Sequence, residues 1–174
     1  MQPVFLARMS DRLSLHEGSD DGGSRSCNDV DSQMNSKEPR IRTEVQVMFF
    51  DTDCGAVVSN IAYLRFIEIA RTSLAETLGL PLAEMTQTQR YPVVVRTEIN
   101  YRHAAKLGDR LVIEGWLDDL QRARFWCAFQ ITRSSDNVVI ADCRQMMALI
   151  EMPAAKLLPL PEGWEKNRDG GDKK

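Results

Sequence analysis

The feature that most constrains this fold is a single long helical pattern with strand patterns on both sides. From about Ser59 to Leu78, apolar residues recur at helical spacing and would share one face of a helix. These residues are Tyr63, Phe66, Ile67, Ala70, Leu74 and Leu78. Gly79 and Pro81 follow at once and favour the end of a helix. The pattern predicts one amphipathic helix of about five turns.

The opposite face of this helix carries a narrow polar ridge. Its members are Arg65, Glu68, Thr72 and Glu76. Apolar Ile61, Leu64 and Ile69 flank the ridge. Since so much of the circumference is apolar, the pattern indicates a helix that other structure covers on most sides.

Strand patterns precede and follow the helix. Residues 41–50 form one before it, and four more lie within residues 93–101, 110–117, 124–131 and 138–150. Only short turns separate the last four, and parallel neighbours would need long crossovers, so antiparallel pairing is expected. The sequence therefore predicts an α+β domain with one long helix against a curved antiparallel sheet of five strands.

Both ends of the chain differ in composition from this middle. Within residues 1–39, the stretch 17–38 is rich in Ser, Asp, Gly and Asn, with too little apolar surface to offset the entropy of ordering. We expect a disordered N-terminal extension there, or alternatively a translation start at Met34. The polar residues 163–174 predict a flexible C-terminal tail, which leaves residues 40–162 as the folded domain.

Composition excludes several classes of function. The net charge of −3 provides no basic field for nucleic acid or an anionic membrane. No apolar run approaches the ~20 residues that cross a bilayer, and no secretory cleavage site is evident. The four cysteines and two histidines are too scattered for a zinc site or a disulfide scaffold. We expect a cytoplasmic protein with reduced thiols and no metal or cofactor.

A pair of carboxylates lies in the loop that leads into the helix. The free N–H groups of a helix start favour negative charge and could stabilise an oxyanion, while a nearby carboxylate could attack a carbonyl or activate water. Asp53 is the candidate carboxylate, and Gly55 would let backbone approach a ligand closely. A turn-forming role is the alternative for Asp53, and Asp51 is expected to bond the turn.

The stretch around this junction resembles the hotdog-fold thioesterases of the 4-hydroxybenzoyl-CoA thioesterase type. It reads FFDTDCGAVVSNIAYLRFIEIART over residues 49–72. The matching positions are Asp51, Asp53, Gly55, Val57, Val58, Tyr63, Glu68 and Arg71. Later matches are the LGD of residues 107–109 and the PLP of residues 159–161, so the resemblance covers about residues 40–162.

The resemblance implies a hotdog fold and an acyl-CoA thioesterase. Asp53 would act as nucleophile or general base, and the backbone N–H of Asn60 would polarise the thioester carbonyl. The implied substrate-binding residues are Gly55, Val58, Ser59, Tyr63 and Glu68. The implied substrate is an acyl-CoA, with acyl carrier protein as a second possible carrier. The implied assembly is a homodimer or homotetramer with active sites between subunits.

Several alternatives stay open at this point. Ser59 and Asn60 stand where family members often carry an aromatic residue or His, and Ala104 stands where a Pro is frequent, which leaves the acyl group open. Glu68 could instead form a helix ion pair with Arg71.

Cys54 is expected to be a plain small side chain, His103 a surface residue at a strand end, and Tyr63 could serve packing alone. A haloacid-dehalogenase-type phosphatase shares only the Asp-x-Asp pair and needs a parallel sheet. A hotdog module that binds acyl thioesters without cleaving them is the other reading.

Overall fold

A computed structural model of the chain describes residues 39–164. The predicted extension up to residue 38, the alternative start at Met34, and the tail from residue 165 onward lie outside these residues. In chain order the elements are β1 (Arg40–Gln46), a 3-10 turn (Phe49–Asp51), α1 (Asn60–Thr77), α2 (Leu82–Thr88), β2 (Arg90–Tyr101), β3 (Arg110–Leu120), β4 (Arg124–Arg133), β5 (Val139–Glu151) and β6 (Lys156–Leu157).

The strands form one antiparallel sheet in the order β1-β3-β4-β5-β2, with the two-residue β6 added to β5. The predicted antiparallel pairing is confirmed. β1 and β2, which flank the helices in sequence, form the two ends of this order. The segment between them, which holds α1, therefore connects opposite margins of the sheet.

The predicted helix is confirmed, and its apolar face lies in the core. All six residues predicted for that face are buried. They share one core cluster with sheet residues such as Leu111, Ile113, Phe129 and Ile131. Burying a side chain of this size stabilises the fold by roughly 1.5–3 kcal/mol, so this face anchors α1 to the sheet.

The first strand is shorter than the sequence predicted. It ends at Gln46, and Phe49 and Phe50 lie in the 3-10 turn, 81% and 69% exposed. The cause is Asp51, whose carboxylate accepts the Met48 N–H at 2.8 Å and whose N–H donates to the Met48 carbonyl at 3.0 Å. These bonds close a turn, and an apolar run alone does not reveal them.

The helical part differs from the sequence pattern in two ways. The sequence predicted other structure around most of α1, yet Ile61, Leu64 and Ile69 are exposed within this single chain. The sheet covers one face of the helix only. In addition, α2 follows Pro81 as a second, seven-residue helix that the strand and helix patterns did not indicate.

The packed domain reaches two residues beyond the predicted limit of residue 162. Trp164 is buried in the same core, with its ring edge-on to Phe125 at a centroid distance of 5.0 Å. Its indole Nε1–H donates to the Leu78 carbonyl at 3.1 Å. The C-terminal segment therefore closes the end of α1.

Candidate functional site

The loop before α1 is a tight hairpin. Thr52 and Val58 pair in antiparallel fashion, the Asp53 N–H donates to the Val57 carbonyl at 2.9 Å, and the Ala56 N–H donates to the Asp53 carbonyl at 3.0 Å. Ala56 closes the turn in the left-handed region, with a φ of 57°. The hairpin fixes the backbone of Asp53 a few residues ahead of the helix.

Asp53 is exposed at the tip of this hairpin. Its Oδ1 accepts the Gly55 N–H at 2.8 Å, which is the turn-forming role that the sequence left open. Its Oδ2 has no donor within residues 39–164. A Cβ at position 55 would lie 3.2 Å from Oδ1, so glycine leaves the carboxylate room in this position.

The first amides of α1 form the second half of the site. Ser59 caps the helix, since the Ala62 N–H donates to its hydroxyl at 3.3 Å and the Tyr63 N–H to its carbonyl at 3.3 Å. The N–H groups of Asn60 and Ile61 meet no acceptor in the described chain. A helix start with such free donors attracts negative charge.

Asp51 has the structural role that the sequence predicted. It is buried, it pairs with Arg65 on α1, and its carbonyl accepts the Ser59 N–H at 2.8 Å. The hairpin and the helix start are thereby joined through one residue.

A pocket of about 350 Å³ opens beside the helix start. It is lined by Val58, Asn60, Tyr63, Tyr101, Arg102, His103 and Ala104. The Tyr63 hydroxyl accepts the Ala105 N–H at 3.2 Å, and its ring lies 5.4 Å from that of Tyr101. Burial raises the pKa of the Tyr63 hydroxyl above its ordinary value, so Tyr63 offers a neutral aromatic wall.

Sequence reasoning missed the part of this pocket that comes from the end of β2. His103 is exposed, as predicted, but it also lines the pocket, and its Nδ1 lies 2.9 Å from the Val139 carbonyl. Arg102 pairs with Asp142 at 2.8 Å. The signal in the sequence was the run of Tyr, Arg and His at the end of a strand pattern. Only the order of the strands in the sheet shows that this run lies near the helix.

Glu68 lies apart from the other predicted site residues. It pairs with Arg71, as its alternative reading proposed, and Arg71 donates to the buried Gln145 at 3.2 Å. Eight residues of helix separate it from Asn60, about 12 Å along the axis. Within one chain, Glu68 and the first amides of α1 are therefore too far apart to contact the same small chemical group, such as a thioester.

The cysteines divide by environment. Cys54 is exposed beside Asp53, whereas Cys127 and Cys143 are buried, and burial raises the pKa of both thiols to about 12. Residues 39–164 contain no cluster of three or more side chains suited to a metal ion. No helix in that range is long and apolar enough to cross a membrane.

The family model of the thioesterase-like superfamily matches residues 47–167, more than half of the chain. The chain belongs to the thioesterase-like superfamily.

Curated relatives and solved structures agree with this membership. The acyl-CoA thioesterase YbgC of Haemophilus influenzae is 29% identical over 68% of this chain and 86% of its own length. The long-chain acyl-CoA thioesterase FadM of Escherichia coli is 31% identical over 69% and 90%. The crystal structure of Slr0204, a 1,4-dihydroxy-2-naphthoyl-CoA thioesterase from Synechocystis, superposes with a TM-score of 0.65 at 25% identity, covering 74% and 94%.

The predicted hotdog fold and the prediction of a thioester hydrolase are thereby confirmed. The narrower resemblance to the 4-hydroxybenzoyl-CoA type is not, since the relatives carry different acyl specificities in their names. Membership of the thioesterase-like superfamily gives the class of enzyme and leaves the acyl group open.

Proposed function

We propose that the protein is an acyl-CoA thioesterase that uses Asp53 and the first amides of α1. The observation that carries the proposal is the junction of an exposed carboxylate on the 53–57 hairpin with a helix start whose Asn60 and Ile61 N–H groups are unpaired within the described residues. A carboxylate and an oxyanion site are the two elements that thioester hydrolysis needs.

The arrangement divides the work between the two elements. The Asn60 N–H binds the thioester carbonyl oxygen and stabilises the charge that develops on it. Asp53 either attacks the carbonyl carbon or removes a proton from the attacking water. After direct attack, the C–S bond breaks to leave a mixed anhydride on Asp53, which water then hydrolyses to the free acid. After attack by water, the C–S bond breaks to give the free acid at once. In both cases the CoA thiolate takes up a proton that comes from the water. The bond from Gly55 to Oδ1 orients the carboxylate and leaves Oδ2 for the reaction.

The pocket beside the helix start is where we expect the substrate to bind. Val58 and Tyr63 provide apolar surface next to Asn60, and Ser59 contributes by fixing the helix start rather than by a contact of its own. The relatives named as acyl-CoA thioesterases favour CoA as the carrier. An acyl carrier protein would present the same thioester and is the second carrier that fits this chemistry.

Assembly into a homodimer or homotetramer is part of the proposal. Phe49, Phe50 and Ile61, which lie close to Asp53 in the sequence, expose large apolar side chains, and such surfaces mark interaction sites. A second copy over this region would exclude water from the reacting groups. Glu68 is far from the helix start of its own chain. It would contact substrate only if a second copy of the chain places the start of its own α1 beside Glu68.

The test is release of free thiol from a panel of short, branched, aromatic and long-chain acyl-CoAs. We expect turnover of at least one member, and we expect Asp53→Asn to lower it by about 100-fold or more while the protein stays folded. Tight binding of a thioester without thiol release across the panel would instead support a non-catalytic binding module.

A further inference from the structure

We propose that Arg65 is a positioning residue for this site and that it acts through the buried Asp51, an inference that rests on the proposed function. The Asp51 carboxylate is only 1% exposed. One oxygen, Oδ1, pairs with the Arg65 guanidinium, and the other, Oδ2, accepts the Met48 N–H at 2.8 Å. A buried carboxylate is stable only with such partners, so Arg65 holds Asp51 in place.

Asp51 in turn connects both reacting elements. Its N–H donates to the Met48 carbonyl at 3.0 Å, and its carbonyl accepts the Ser59 N–H at 2.8 Å. Asp53 follows two residues later on the hairpin, and Asn60 follows Ser59 directly. A shift of Asp51 would therefore move the carboxylate and the first helix amides relative to each other.

Arg65 is suited to this task by its own surroundings. Its guanidinium carbon lies 4.8 Å from the ring centroid of Phe50 and 5.6 Å from that of Phe66. The flat, delocalised guanidinium can stack on the rings while it pairs with a carboxylate, and a lysine ammonium cannot do both equally well. Arg65 thus holds the 3-10 turn against α1, in addition to the backbone bond between Ser59 and Asp51.

The expected consequence includes a loss in catalysis that folding alone does not explain. Arg65 is 47% exposed but Asp51 is 1% exposed, so loss of Arg65 leaves a buried carboxylate without its charged partner and should also destabilise the fold. Catalysis tolerates much less displacement, because a misplacement of about 1 Å can cost roughly 100-fold in rate. A loss confined to kcat would separate a positioning role from simple destabilisation.

The experiment compares four full-length proteins by thiol release from the best acyl-CoA of the panel: wild type, Arg65→Met, Arg65→Lys and Arg144→Met. Arg144 is the matched control, because it also pairs with an aspartate, Asp118, and lies 4.7 Å over an aromatic ring, that of Trp126, away from the site. We expect Arg65→Met to lose about tenfold or more in kcat with KM nearly unchanged. Arg65→Lys should recover part of this loss, and Arg144→Met should match wild type.

Each outcome decides the matter. If Arg65→Met keeps the kcat of Arg144→Met, the positioning role is wrong, although the proposed function stands as long as Asp53→Asn is inactive. If Asp53→Asn loses nothing, the proposed function fails and takes the role of Arg65 with it. Should Arg65→Met not fold, Arg65→Lys carries the comparison, and a kcat equal to wild type overturns the proposal.

Discussion

At its start, α1 presents the amides of Asn60 and Ile61 without an acceptor in residues 39–164, whereas its end is closed by hydrogen bonds and apolar packing. The N–H groups of Gly79 and Leu80 donate to the carbonyls of Glu76 and Ala75 at 3.1 and 2.8 Å, and Gly79 takes a φ of 79°. Trp164 then covers the Leu78 carbonyl. These bonds form a Schellman-type ending, which satisfies carbonyls that would otherwise be unpaired.

The contrast assigns different roles to the two ends of α1. The end of the helix contributes to stability, and its start contributes to the proposed chemistry. The end of α1 buries aromatic surface from Trp164 and Phe125, so changes there should act on folding. The start keeps exposed groups in place through short-range hydrogen bonds and one buried charge, so changes there should act on turnover. Substitutions at the two ends of α1 test this division.

The largest expected effect lies at the closed end. Trp164→Ala removes a buried aromatic ring and should lower the free energy of unfolding by about 3–5 kcal/mol. Trp164→Phe keeps an aromatic ring but loses the hydrogen bond to the Leu78 carbonyl. This loss should lower the free energy of unfolding by about 1 kcal/mol, in addition to the effect of the changed packing. Urea unfolding measures both losses. A large fall in kcat of the folded Trp164→Phe protein would contradict the division.

A smaller effect is expected from the cap at the open end. Ser59→Ala removes the hydroxyl that accepts the Ala62 N–H and should destabilise the protein by ~1 kcal/mol. The control is Ser73→Ala within α1, where the serine bonds only the Ile69 carbonyl at 3.5 Å and alanine is the better helix former. Equal unfolding midpoints for the two variants would show that the cap contributes nothing.

The smallest effect concerns the hairpin and has the opposite sign. Ala56 adopts a left-handed conformation that costs an L-residue roughly 1–2 kcal/mol, and glycine adopts it freely at some cost in entropy. Ala56→Gly should therefore raise stability slightly, by at most about 1 kcal/mol. Ala75→Gly inside α1 should instead lower it by about 1 kcal/mol. Thermal unfolding of both variants shows whether each substitution raises or lowers the stability of the protein.

The fold was largely predictable because its signals are local. The α1 face, the helix end at Gly79 and the strand patterns within β2 to β5 all depend on residues a few positions apart, and the structure contains each of these elements. The end of β1 was not predictable in this way, because the turn at Phe49 depends on the side chain of Asp51. Trp164 was missed for a different reason, since its partner Leu78 lies 86 residues earlier in the chain.

The predicted site residues lie in one contiguous stretch of the sequence. In the structure Val58, Asn60 and Tyr63 line the pocket, Ser59 caps the helix, and Asp53 and Gly55 lie on the hairpin before it. The sequence assigns Arg65 only to the polar ridge of the helix, because nothing in the sequence shows that Asp51 is buried beside it. Tyr101 and His103 reach the pocket only through the sheet order, which a linear pattern does not contain.

The backbone amide of residue 60 offers the most direct test of the account. Asn60→Pro removes this N–H at the first helical position, where proline is well tolerated, and Ser59 already has the extended conformation that precedes proline, with φ −70° and ψ 154°. Asn60→Ala keeps the amide and removes the side chain. We expect folded Asn60→Pro to lose about 100-fold or more in kcat for thiol release, with Asn60→Ala close to wild type. Equal turnover of the two variants would contradict a catalytic role for the start of this helix.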